Sequence, residues 1–123
     1  MNARFVVQEH TTAAGVHWDL MLQQGEGLTT FRLSEPPQTV LCHAVRAVRI
    51  FDHALRFLSY EGPVQKGTGR VRIAERGTYR LTDQADDLIA LELQGQCLQG
   101  GFTLSRVGDD TWEFSPAHRS GQG

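Results

Sequence analysis

No apolar run in this chain approaches the roughly 18–20 residues that a membrane-spanning helix needs. No signal-peptide pattern precedes the first apolar stretch. Met1-Asn2-Ala3-Arg4 leads straight into it, without an h-region or a small-residue cleavage site. A cytoplasmic protein without membrane contact is therefore expected. Cysteine is scarce, and Cys42 and Cys97 form no CxxC pair. That argues against a disulfide-stapled secreted mini-domain. Each cysteine has apolar neighbours, and free cysteine is among the most buried residue types, so both are expected in the core. Lysine is nearly absent: Lys66 is the only one, and the other eleven basic residues are arginine. Internal repeats and low-complexity runs are missing as well.

What is present suits one globular domain. The chain has 123 residues, 40% hydrophobic and 21% charged, enough apolar material for a single core without disulfide or metal support. Residues 1–115 are read as that domain, and 116–123 as a flexible tail rich in Ser and Gly. The net charge of −2 hides an asymmetry. Residues 1–42 carry −2, residues 43–80 carry +5 and residues 81–123 carry −5. The arginine of the middle segment presents a planar fork that matches phosphate oxygens two at a time. The plainer alternative is a set of solvated strand faces paired with the acidic C-terminal third.

Strand signals dominate. RFVVQE (4–9) is short, apolar and β-branched. HWDLMLQ (17–23) alternates, with Trp18, Leu20 and Leu22 on one side and His17, Asp19, Met21 and Gln23 on the other. Further strand candidates are 28–33, 45–51, 55–60, 69–74, 78–81, 88–93, 102–107 and 111–114. Residues 39–47 could instead form a short helix. Glycine turns separate many of these runs, and Gly67-Thr68-Gly69 reads as a hairpin turn. The expectation is an all-β fold, a compact antiparallel β-barrel of about eight strands with little helix. Trp18 and Trp112 are expected to fill core.

The most informative cluster is His10, His17 and Asp19. His17 and Asp19 are two apart on a strand, so both leave the same face. A hairpin through Thr11–Val16 would bring His10 beside them. Two imidazoles and a carboxylate with open positions suit Mn²⁺, Zn²⁺ or Fe²⁺ better than Ca²⁺. A solvated strand face is the competing reading. His53 lies in the basic segment, where it could bind a phosphate oxygen or act as general acid. It could equally be a turn residue that caps a sheet edge. His43 and His118 have no comparable context.

The blocks FVVQEH, HWDLML, FRLSEPP, DHALRFLSYEG, RVRIAERGTY and LELQGQCLQGGFTLSRV occur in that order. Together they resemble the 3′-phosphoesterase domain of bacterial DNA ligase D, from Phe5 to about Phe114. The resemblance implies a compact β-barrel with a metal and phosphate site on a concave surface. It implies a Mn²⁺ cofactor, with Zn²⁺ or Co²⁺ as alternatives, and removal of a 3′-ribonucleoside or 3′-phosphate in DNA end repair. By this match, His10, His17 and Asp19 are the metal set and His53 the phosphate-contacting residue. Glu61-Gly62 and Arg76-Gly77-Thr78 are structural landmarks. The implied partners are DNA or RNA–DNA 3′ ends and separate end-joining proteins. The chain's size implies a stand-alone monomer.

The chain also departs from the family pattern. Six residues separate the two metal histidines, where five are usual. Met21 stands where an Arg is expected, Glu35 where a Lys is, and Phe57 where a Tyr is. The stretch Val64 to Gly69 is shortened. Arg46 and Arg32 are the candidate replacements for the missing cations. Three functions compete on this basis: a metal-dependent phosphoesterase, a non-catalytic module that binds metal and phosphate ends, and a cupin-like small-molecule metal protein. The last would show a deep apolar pocket without a basic rim.

Overall fold

A computed structural model of the protein describes residues 3–64 and 69–117. Nine antiparallel strands make up the described chain. They are β1 (Ala3–Thr12), β2 (Gly15–Gln24), β3 (Gly27–Leu33), β4 (Val45–Ala54), β5 (Gly62–Pro63), β6 (Arg70–Ala85), β7 (Leu88–Gly95), β8 (Gln99–Arg106) and β9 (Thr111–Pro116). Eight of them close a ring in the order β1-β2-β3-β4-β9-β8-β7-β6, with β6 returning to β1. β5 adds two residues beside the start of β6. The all-β expectation holds, and no α-helix occurs among the described residues. None of the described helical segments is long and apolar enough to cross a membrane.

Period-2 alternation fills the ring. Phe5 and Val7 of β1, Leu20 and Leu22 of β2, and Phe31 and Leu33 of β3 point inward. There they meet Leu91 and Leu93, Phe102 and Leu104, and Trp112 and Phe114. Trp18 packs against this core half-buried. Burying one such side chain is worth about 1.5–3 kcal/mol. A one-residue slip of β2 would expose Leu20 and Leu22 and drive His17 and Asp19 inward, so burial fixes the register. A bulge between Val7 and Gln8 in the β1–β6 pairing leaves Ala74 without a partner on β1 and bends the ring there.

The outer face of β1–β3 is also partly dry. Val6, Met21, Leu28 and Leu58 form a second, smaller cluster, with Phe57 and Ile73 against it. Leu58 comes from a short 3-10 turn, Leu55–Leu58, that lies over these strands.

Several local expectations need correction. Residues 55–60 form that turn and its exit, not a strand. Their carbonyls find a partner in a side chain: Gln8 Nε2 donates to the carbonyls of Phe57 and Tyr60 at 3.0 and 2.9 Å. Within 39–47 the helix is only a 3-10 turn, Pro37–Leu41, and β4 begins at Val45. The candidates at 69–74 and 78–81 belong to one long strand, β6. Both cysteines are exposed. Cys42 caps the Pro37–Leu41 turn and Cys97 lies in the tight β7–β8 turn, so each is placed by turn geometry despite its apolar neighbours. β9 runs to Pro116, and the rest of the expected tail from residue 118, with Lys66, Gly67, Thr68 and His118, lies outside the described residues.

Candidate metal centre and adjoining cavity

The β1–β2 hairpin assembles the cluster. Its register pairs His10 directly with His17 and Gln8 with Asp19, all on the outer face. His10 Nδ1 lies 3.1 Å from His17 Nε2. His17 Nε2 lies 3.6 Å from Asp19 Oδ2. One ligand atom from each of the three residues falls within 4.8 Å of the others. Neighbouring ligands around a first-row ion at ~2.0–2.1 Å bond lengths sit roughly 3–3.4 Å apart. The donor set therefore fits a small divalent cation of mixed nitrogen and oxygen preference.

A second observation supports that fit. His10 Nε2 is buried with no hydrogen-bond partner among the described residues. It packs against Gly69, where an added Cβ would come within 3.0 Å of it and 2.3 Å of the Thr11 carbonyl. A buried ring nitrogen without a partner is unusual, and either nitrogen of a neutral imidazole can serve as a metal ligand. Burial pushes the His17 pKa below the ordinary imidazole value, although the Asp19 charge opposes the shift. His17 is thus neutral near pH 7, the form that ligates a metal.

Asp19 is 3% exposed and is held from the β3 side. Arg32 Nε donates to its Oδ1 at 3.1 Å and an Nη to Oδ2 at 3.5 Å. Asp19 and Arg32 are register partners. Arg32 thus orients a candidate ligand, and it also lines the cavity beside it.

That cavity, about 270 Å³, joins the cluster to the basic segment. Its wall includes His10, Asp19, Arg32 and His53, with Gln8, Phe51, Arg56, Phe57 and Tyr60 around them. The Thr30 hydroxyl lies 2.9 Å from both the Leu28 carbonyl and His53 Nδ1. The hydroxyl has one proton and the carbonyl can only accept. Both contacts are satisfied when Thr30 donates to Leu28 and Nδ1–H donates to Thr30, an assignment made from the network. Nε2 then carries the free lone pair. Burial lowers the His53 pKa, with the Asp19 charge opposing it. The ring stacks on Phe51 (centroids 4.9 Å, 16° between planes) and meets the edge of Phe57 at 5.7 Å.

The fold thus brings His10, Asp19, Arg32 and His53 to one cavity, with His17 beside them. Arg46 does not reach it. Arg46 is exposed on β4 opposite Glu113. The other middle-segment arginines are divided. Arg49 lies over Phe31 and 3.7 Å from Asp52. Arg72 meets Glu9 at 2.6 Å, and Arg80 meets Glu92 at 2.5 Å. Met21 is buried in the outer cluster, and Glu35 sits 3.7 Å from His43, so neither adds a cation to the cavity. Gln8, Thr30, Phe51 and Arg56 were not singled out by sequence. Thr30 could have been found from the β3–β4 pairing, and Arg56 from the basic segment.

A closed antiparallel ring with a two-imidazole, one-carboxylate cluster on its outer wall defines a small β-protein with a candidate mononuclear metal centre. Within that class the chain belongs to the DNA ligase D 3′-phosphoesterase domain family, whose profile matches residues 8–106. It is also similar to the multifunctional non-homologous end joining protein LigD of Mycolicibacterium smegmatis (strain ATCC 700084 / mc(2)155), at 27% identity over 125 aligned positions. That match takes in 90% of this chain and 16% of the relative, so the chain spans about a sixth of that protein's length.

Proposed function

We propose that this protein is a divalent-metal-dependent phosphoesterase that removes a 3′-phosphate or 3′-ribonucleotide from DNA ends, in the context of non-homologous end joining. The observation that carries this reading is the convergence of His10, His17 and Asp19 beside a cavity that His53 and Arg32 also line. Family membership supplies the reaction class. His10, His17 and Asp19 would hold Mn²⁺, or Zn²⁺ or Co²⁺ in its place. The ion's contribution is to polarise a phosphoryl oxygen and offset charge that builds up in the transition state.

The chain's own residues do the rest. Arg32 keeps Asp19 in position and turns its remaining donors to a phosphate in the cavity. His53 is neutral in the free protein. A phosphate dianion beside it raises its proton affinity, so the ring takes up a proton at Nε2 with substrate bound. Nε2–H then donates to a non-bridging oxygen, or protonates the leaving alkoxide as a water forms the new P–O bond, while Thr30 holds Nδ1. Arg46 lies too far round β4 to share this work and is assigned to flanking phosphates. The partners are DNA or RNA–DNA 3′ ends, and separate end-joining proteins, met in the cytoplasm by a monomer.

A second reading, a module that binds metal and phosphate ends without turnover, draws on the burial of Met21, which leaves the cavity one cation short. One experiment separates the two. A primer with a 3′-phosphate or a 3′-terminal ribonucleotide is incubated with protein and Mn²⁺, beside His17→Ala. Release by the wild type alone supports the enzyme. Binding of the primer without release supports the module.

A further inference from the structure

The mouth of the cavity carries two features that the phosphate chemistry does not use. Phe51 is a strand residue, yet it is 75% exposed. Val107 and Leu41 are exposed too, and single apolar side chains on a surface are ordinary. Phe51 differs in that its ring is flat, lines the cavity and lies with one face on His53. With that face covered, the exposed remainder includes the opposite face. An aromatic plane beside a phosphate-handling histidine is what a nucleobase stacks on.

The second feature is Arg56. Its guanidinium is held 4.6 Å over the Phe57 ring and 5.6 Å over the Tyr60 ring, and it lines the same cavity. Arg32 is already paired with Asp19. Arg56 makes no ion pair among the described residues, so it is the cavity's unneutralised cation. Contact with these two rings, which stand at 83° to each other, pre-orders its donor fork at little further entropic cost. Tyr60 cannot take this role, because its hydroxyl donates to the Pro63 carbonyl.

We propose that Phe51 and Arg56 form a nucleotide subsite at the cavity mouth, Phe51 stacking on the terminal base of a single-stranded or frayed DNA 3′ end and Arg56 pairing with the adjoining phosphate. The inference rests on the phosphoesterase reading and narrows its substrate. A terminal base inside a duplex is already stacked and paired, and a frayed or overhanging one has a π-face free. The subsite therefore selects 3′ ends that carry an unpaired base.

Binding of fluorescein-labelled single-stranded DNA with a 3′-phosphate tests this by anisotropy, in Mn²⁺, with the full chain. The terminal nucleotide is either normal or abasic. Wild type is expected to bind the abasic end about tenfold more weakly, in line with the stacking strength of one base. Phe51→Ala is expected to bind both ends equally, at the weaker level. Phe51→Trp keeps the discrimination, and quenching of the introduced indole reports the stacked base directly. Arg56→Gln weakens both ends alike and reduces the salt dependence by about one phosphate contact. Equal binding of the two ends by wild type, with phosphate still released, overturns the subsite and leaves the phosphoesterase standing. Failure of wild type to bind or cleave either end overturns both.

Discussion

Two carboxylates are buried among the described residues, and they are held in opposite ways. Glu75 on β6 is 1% exposed and Asp19 on β2 is 3% exposed. Glu75 accepts four backbone N–H groups, from Arg76, Gln96, Cys97 and Leu98, at 2.7–3.0 Å. The chain approaches so closely that a Cβ on Gly95 would come within 2.6 Å of Glu75 Oε2. Asp19 instead meets an arginine and an imidazole, both side chains, at the edge of a cavity. Fixed backbone donors saturate the first carboxylate and tie a turn to the ring. Adjustable side chains hold the second and leave it able to take a ligand. Burial alone says that a carboxylate matters, and its partners say for what.

The largest expected effect breaks that contrast from the structural side. Glu75→Ala strands four backbone donors and should cost about 3 kcal/mol or more, at 1–3 kcal/mol per buried unsatisfied group with partial rehydration. Urea unfolding measures it, and Mn²⁺ affinity should stay near wild type in the fraction that folds. Asp19→Asn should do the reverse: a small change in the urea midpoint and a loss of Mn²⁺ binding of about a hundredfold. If both variants lose stability equally, the two sites are not different in kind.

A smaller effect tests how the cavity is tuned. Thr30→Val removes the hydroxyl that holds His53 Nδ1 at nearly constant volume. Loss of such an orienting contact typically costs about 10–100-fold. The expected result is about a tenfold fall in kcat with KM little changed. A rise in KM alone would mean that Thr30 shapes the pocket without aiming the ring.

The smallest effect is a pH dependence. Burial lowers the pKa of both His17 and His53. Above about pH 6.5 the two are neutral in folded and unfolded chains alike, and their contribution to stability is intact. Below that, the unfolded chain takes up protons first, so stability falls as pH drops toward the depressed values. Tm measured between pH 7.5 and 5.5 should decline, and His53→Asn should flatten part of the decline. Mn²⁺ should steepen it, because protons compete for the same nitrogens.

Much of this was legible from residue order. The alternation in HWDLML placed Leu20 and Leu22 inside and His17 and Asp19 outside, and the hairpin put His10 opposite His17. Period 2 tells which face a residue takes but not what covers that face. Met21 is therefore buried on the outer side, under Leu58, which no local pattern announces. The segment 55–60 looked like a strand because its composition is that of one. Gln8, some fifty residues earlier, satisfies its carbonyls instead. Thr30, Phe51 and Arg56 join the site only through ring closure and the turn after β4.

The placement of the site on the outside of the ring governs how this protein can drift over generations. Along β2 the outer Asp19 sits between two residues that serve the interior, Trp18 and Leu20. Point changes on the outer face leave the interior of the ring alone. A single inserted or deleted codon within β2 is another matter, since it would exchange the two inventories at once. Length can vary only where the strand stops, and the two-residue turn Ala13-Ala14 between β1 and β2 is such a place. That hairpin also separates His10 from His17, so a change of length there alters the spacing of the candidate ligands without exchanging the inner and outer faces of either strand.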